Sequence, residues 1–261
     1  MSIGDAEIKT QERVIRFFKD PEILGYQYIG NLSDYQNKNI KEDRLRQYLR
    51  LKGYADKLID AAIMQLQQEA GNLSRGVYDA NKTVYSRLKY GIPVSESPEK
   101  PPVTVQLVDE EKPLNNDFAI AEEVTVVEQS EKRPDLVVYL NGIAVAVIEL
   151  KRSSISVSEG IRQNLTNQKN SFIQSFFTTM QFCMAGNESE GLRYGTLLTG
   201  EKFYMEWKDD GFKEHEEERD PVDVRISKTC EGIENKLLKQ IYAMFDKERF
   251  IDLIMNFVVF E

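Results

Sequence analysis

Three side chains in this sequence have the types and spacing to hold a metal ion against a phosphodiester: Asp135, Glu149 and Lys151. The aspartate opens one apolar run, and the glutamate and lysine, two residues apart, close the next. Mg²⁺ takes oxygen ligands at about 2.0–2.1 Å and keeps several waters, so one or two carboxylates suffice to bind it. Such an ion activates water and neutralises charge on the attacked phosphate. A lysine ammonium beside it orients that water or balances the growing negative charge. The chemistry indicated is metal-dependent cleavage of a phosphodiester. The same E-x-K spacing also occurs as a plain surface ion pair on a strand, so the trio has to be judged by its setting.

That setting is a pair of runs, Leu136–Leu140 and Ile143–Leu150, almost wholly apolar and rich in Val and Ile. Such runs suit strands buried on both faces. Asn141-Gly142 between them is a strong hairpin signal, because both residues tolerate positive φ. Side chains alternate along a strand, so Glu149 and Lys151 share a side. A strict two-residue turn would pair Leu140 with Ile143 and Asp135 with Ile148, sending Asp135 and Glu149 to opposite faces. A shared metal therefore requires a three-residue loop or a β-bulge between residues 136 and 148, which moves Asp135 opposite Glu149.

With 261 residues, 41% of them hydrophobic and 10% aromatic, the chain can fill a sizeable core. No apolar run approaches the roughly 18 residues of a membrane helix, and the N-terminus lacks the basic-then-apolar pattern of a secretory signal. No membrane association is expected, and the expected compartment is the cytoplasm. Cys183 and Cys230 lie far apart without metal-ligand spacing and read as reduced and buried. The one histidine, His215, sits in a charged run at 213–218 that reads as a solvated loop, which argues against His-rich zinc sites and Ser-His-Asp catalysis. The net charge of −9 runs against the basic footprint of a protein that grips nucleic acid alone. Either a local basic patch is hidden in the average, or another polypeptide delivers the DNA. Alone, the chain should bind duplex DNA weakly; a tight, salt-insensitive complex in an anisotropy titration would contradict this.

The first hundred residues read as mainly helical. Thr10 can cap a helix that ends near Asp20-Pro21, a turn and short strand follow at 24–29, and Asn39 with Glu42 resembles a capping box. Further helices are expected from 56 to 70, closed by Gly71, and from 77 to 88, closed by Gly91. Residues 92–102, with Pro93, Pro98, Pro101 and Pro102, read as a linker or irregular loop. Strands are expected at 103–108, 118–127, 136–140, 143–150, 180–184, 192–198 and 202–207. Ser156-x-x-Glu159 forms a capping box for a helix to about Lys169, a helical stretch covers 171–177, and helices at 233–245 and 248–255 close the chain. The expected organisation is one domain over 1–261. It has a helical subregion at about 31–100, a catalytic core at about 10–30 and 101–210, and C-terminal helices at 230–256.

Several groups of residues together carry a resemblance. They are Asn115-Asn116-Asp117-Phe118, Arg133-Pro134-Asp135, Asn141-Gly142 and Ile148-Glu149-Leu150-Lys151, then Gln163, Gln181-Phe182 and Arg193-Tyr194-Gly195-Thr196. With softer echoes at both ends, the chain resembles the N-terminal nuclease region of the R (HsdR) subunit of type I restriction–modification enzymes. The strong part covers about 115–200.

The resemblance implies an α/β, PD-(D/E)xK restriction-endonuclease-like fold, with a mixed central sheet flanked by helices. It implies Asp135, Glu149 and Lys151 as catalytic residues, with Asp135 and Glu149 on Mg²⁺ and Glu12 as an accessory acidic residue beside the metal. Gln163 fits the first position of the family's Q-x-x-x-Y motif and is a candidate DNA contact, but the tyrosine position is Asn167. The implied function is Mg²⁺-dependent endonucleolytic cleavage of double-stranded DNA. The implied partners are the methyltransferase and specificity subunits and an ATP motor domain of the same subunit. ATP would enter only through that motor, since this sequence has no G-x-x-x-x-G-K-[ST] phosphate loop, and the apolar segment 257–260 reads as the entrance to it. An alternative keeps the nuclease fold as a docking or regulatory module against the motor or the methyltransferase. A resolvase or repair nuclease would share the trio but not the flanking residues.

Overall fold

A computed structural model describes residues 3–97, 99–208 and 220–260. His215 and its charged run lie outside the described residues. The elements in chain order are α1 (Ile3–Lys19), β1 (Gln27–Asn31), α2 (Glu42–Leu51), α3 (Asp56–Gly71), α4 (Val77–Tyr90), β2 (Ile92–Val94) and β3 (Val103–Val105). Then come β4 (Phe118–Glu122), β5 (Val126–Val127), β6 (Glu131–Lys132), β7 (Leu136–Leu140) and β8 (Ile143–Leu150). The remainder are α5 (Val157–Asn167), β9 (Phe182–Asn187), β10 (Gly191–Gly195), α6 (Pro221–Glu231), α7 (Lys236–Phe245) and α8 (Lys247–Asp252).

Six strands form the central sheet, in the order β1-β4-β7-β8-β9-β10. The β1–β4 and β8–β9 pairs are parallel, and the other neighbours are antiparallel. This is the mixed α/β architecture expected. The helical subregion α2–α4 lies within the long connection from β1 to β4, and α5 within the one from β8 to β9. Parallel strands need such crossovers, because a tight turn can only reverse direction.

β7 and β8 are buried along their whole length, which explains their apolar composition. One core holds Leu136, Val138, Leu140, Ile148 and Leu150 together with α1, α2, α3 and α7. The opposite face carries Val137, Tyr139 and Val147 against Phe176, Phe177 and Met180.

The hairpin turn is a true two-residue loop, with Asn141 at φ 51° and Gly142 at φ 83° and Leu140 opposite Ile143. The register then shifts between Val138 and Tyr139, so that Val138 faces Ala146 and Leu136 faces Ile148. Val145 and Ala146 consequently both enter the first core, two successive residues on one side. The extra residue demanded by a shared metal is thus a bulge at Val145, and the turn keeps its two-residue form.

Several local expectations are corrected. Thr10 does not cap a helix: α1 begins before it, and Thr10 is buried within it. Asn39 does not form a capping box. Its amide donates to the Ser175 carbonyl and to Thr178 Oγ1, both at 3.0 Å, and Lys41 occupies the N-cap of α2 without a side-chain bond. Residues 118–127 are not one strand, because the chain turns at Glu123, φ 50°. Residues 202–207 make only a 3-10 turn, Glu201–Phe203, and one bridge between Tyr194 and Met205. The helical stretch near 171–177 is a 3-10 helix, Gln174–Thr179. Pro93 lies in the short ribbon of β2 and β3 rather than in an irregular loop. Helix α6 had no sequence expectation. Ser156 does cap α5, its hydroxyl accepting from the Ser158 N–H, and Cys183 and Cys230 are free and buried. No helix among the described residues is long and apolar enough to cross a membrane.

Candidate functional site

Continuing the register by one residue beyond the Leu136–Ile148 pair sets Asp135 opposite Glu149. Directly opposed residues share a face, with Cβ atoms about 4.5–5.5 Å apart. The two carboxylates therefore meet on the face that carries Val137 and Val147, and Lys151, two residues on, joins them.

Each group is held by its neighbours. Asp135 Oδ2 accepts the Leu150 backbone N–H at 2.7 Å. Glu149 is fully buried; its Oε2 accepts from Gln163 Nε2 at 2.6 Å, while Oε1 is buried without a partner. Lys151 Nζ donates to Glu7 Oε1 at 3.2 Å. Gln163 reaches Glu149 because α5 lies close on the sheet, and Gly160 permits that approach. A Cβ there would meet the Ala185 Cβ at 2.9 Å and the Glu149 Cβ at 3.4 Å. Glu190 fastens the start of α5 by accepting the Val157 N–H at 3.0 Å.

The electrostatics follow from burial. Desolvation pushes Asp135 up to about 6, against the opposing pull of Lys151. Glu149 is raised well above the ordinary glutamate range, first by burial and then by the charge of Asp135. Burial alone would lower Lys151, but Asp135, Glu149 and Glu7 outweigh it and its pKa is raised.

A carboxylate whose pKa is raised on folding contributes stability that is present below its unfolded pKa and is lost as pH rises through the folded one. For Asp135 that window runs from about 4 to about 6. In metal-free protein, wild type should therefore lose thermal stability relative to Asp135→Asn as pH climbs from 4 to 7. Melting curves of both proteins in chelator check this. A difference independent of pH would show that Asp135 ionises freely.

A divalent cation fits this donor set: two opposed carboxylates in a buried setting, one with an unpartnered oxygen, and a lysine beside them. Among the described residues no group of three or more His, Cys, Asp or Glu side chains is arranged to hold a metal ion, so a cation here would rest on two carboxylates. A groove of about 730 Å³ is lined by residues of α3, α4 and their connection, including Glu69, Arg75 and Arg87, and includes none of these carboxylates.

Asp135, Glu149, Lys151 and Gln163 are thus brought together, and Glu12 is not among them. Glu12 is exposed, about 140° around α1 from Glu7 at 3.6 residues per turn. Glu7 is the acidic side chain of α1 that reaches Lys151. A signal for it existed: Glu7, Gln11, Val14 and Phe18 fall on one helical stripe, and the last two are buried. Starting the helix at Thr10 concealed that stripe. Asn167 is 2% exposed, and its backbone carbonyl accepts from the Ile173 N–H at 3.2 Å.

A search of curated proteins returned no match. A family model described as type I restriction enzyme R protein N terminus matches residues 7–203, a span that includes every residue of the site from Glu7 to Gln163. The chain belongs to the type I restriction enzyme R protein N-terminus family.

Proposed function

We propose that this chain is the nuclease domain of a type I restriction subunit and cleaves double-stranded DNA in a Mg²⁺-dependent reaction. The observation that carries the reading is the bulge at Val145, which sets Asp135 opposite Glu149 and leaves Glu149 Oε1 buried without a partner. A register bought at the cost of a bulge, and a carboxylate buried with an unmet oxygen, make little sense in a purely structural hairpin.

Asp135 and Glu149 would hold the ion, Asp135 steadied by the Leu150 N–H and Glu149 by Gln163. The bound ion would supply an activated water and charge neutralisation at the phosphate. Lys151, kept cationic by the surrounding carboxylates, would face the attacked phosphate and balance its growing charge. Glu7, which pairs with Lys151, would take the place of Glu12 as the accessory acid of α1. The role of Gln163 is then to orient Glu149 rather than to touch DNA.

The acidic balance of the chain fits a division of labour. The methyltransferase and specificity subunits would select the site, and an ATP motor of the same subunit would deliver the duplex. A second reading, a docking or regulatory module on the nuclease fold, is favoured by Asn167 at the family's tyrosine position. The assembled enzyme carrying this chain separates the two. Cleavage that requires Mg²⁺ and disappears in Asp135→Asn, Glu149→Gln and Lys151→Ala supports the nuclease; undiminished cleavage in all three supports the docking module.

A further inference from the structure

We propose that Glu123 is a third carboxylate of this site, facing the water shell of the cation held by Asp135 and Glu149 and orienting its water. The inference rests on the metal-binding reading above. Its first ground is register. β4 pairs with β7 up to Glu122 opposite Leu136, and the next position sets Glu123 against Asp135, with the Glu123 N–H donating to the Asp135 carbonyl at 2.9 Å. The Glu123 backbone therefore lies beside Asp135, just past the end of β4, and Asp135 lies beside Glu149.

The second ground is how the side chain is held. Glu123 Oε1 accepts from Gln11 Nε2 at 3.1 Å, while Oε2 stands 3.7 Å from Arg133 Nε, too far for a hydrogen bond. One oxygen is thus fixed by α1, and the other has only a loose ionic neighbour. The third ground is Glu149 Oε1, fully buried with no hydrogen-bond donor among the described residues, on a side chain within hydrogen-bond reach of the Asp135 carboxyl. In support, the Glu123 charge adds to the upward push on both Asp135 and Glu149. A water shell places Glu123 where it can act without being a direct ligand, consistent with a Mg²⁺ that keeps most of its waters.

Glu122 is the matched control. It is one residue away and carries the same charge, but its carboxylate is engaged by Tyr28 and Gln11. The test is calorimetric titration of the chain with MnCl₂, with a thermal melt of each variant to check folding. Glu123→Gln should weaken Mn²⁺ binding about tenfold and Glu122→Gln no more than about twofold, since ligand charge tunes affinity at such sites. Equal weakening in the two variants would reduce the effect to net charge and overturn the inference. So would an unchanged Glu123→Gln beside a Glu149→Gln that no longer binds, which would leave the nuclease reading intact. Wild-type protein that binds no Mn²⁺ would overturn both.

Discussion

Glu149→Gln is expected to lower DNA cleavage by the assembled enzyme on the order of a thousandfold, roughly 4 kcal/mol of barrier, while leaving the metal-free fold at least as stable as wild type. The two effects have one cause. Glu149 is fully buried, its pKa is raised by burial and by Asp135, and one of its oxygens has no partner. Without a cation, this is an expensive side chain: an unsatisfied buried polar group costs about 1–3 kcal/mol. Glutamine keeps the shape, still accepts from Gln163, and offers an amide donor to Asp135 without the cost of a buried ionisable group. Relief of about 1 kcal/mol would raise the melting temperature by roughly 2–4 °C in a domain of this size. Loss of cleavage with a retained or raised melting temperature is the signature of a residue kept for function. Wild-type cleavage by the variant, or a melting temperature several degrees lower, would sink the assignment.

The second large effect concerns the turn that aims the site. Gly142→Ala should destabilise the protein by about 2–5 kcal/mol, adding about 1–2 for left-handed backbone to about 1–3 for a forced contact. Gly142 has φ 83°, and a Cβ there would lie 2.7 Å from the Leu45 nitrogen and 2.7 Å from the Lys41 oxygen. Both are backbone atoms at the start of α2, so no side chain can swing aside. The same junction is tied by the Lys41 N–H to the Gly142 carbonyl at 2.7 Å. Gly53→Ala is the natural comparison, because its φ is 85° but nothing lies within 4 Å of the added carbon; it should lose only the backbone share, about 1–2 kcal/mol. Urea unfolding of the two variants gives the contrast directly. Equal losses would mean that α2 does not press on the turn.

Much of this molecule was written in short-range patterns. The periodic stripes of α3 and α4, the closing Gly91 of α4, the Ser156 cap of α5, and the apolar runs of β7 and β8 are local features, and local propensity suffices to read them. The trio Asp135, Glu149 and Lys151 was legible for the same reason, since the aspartate opens one apolar run and the glutamate and lysine close the next. Even the need for a register shift followed from counting residues through the hairpin.

Tertiary packing decided the rest. Both faces of β8 are buried, so its residues carry no polar alternation to mark where the bulge falls; the two cores chose Val145 by taking it and Ala146 on the same side. Asn39 has the chemistry of a helix cap, but distant partners near Thr178 claimed its amide, and such competition cannot be seen within one segment. Glu7 and Glu123 reach the site from α1 and from the end of β4, elements separated by about a hundred residues of chain that includes the helical subregion. Sequence by itself pointed to the family, to the buried strands β7 and β8, and to the two carboxylates and lysine as a candidate site. Which further acids surround them depended on how α1 and β4 close over the end of the sheet, because that is set by long-range burial and not by any pattern between neighbours in the chain.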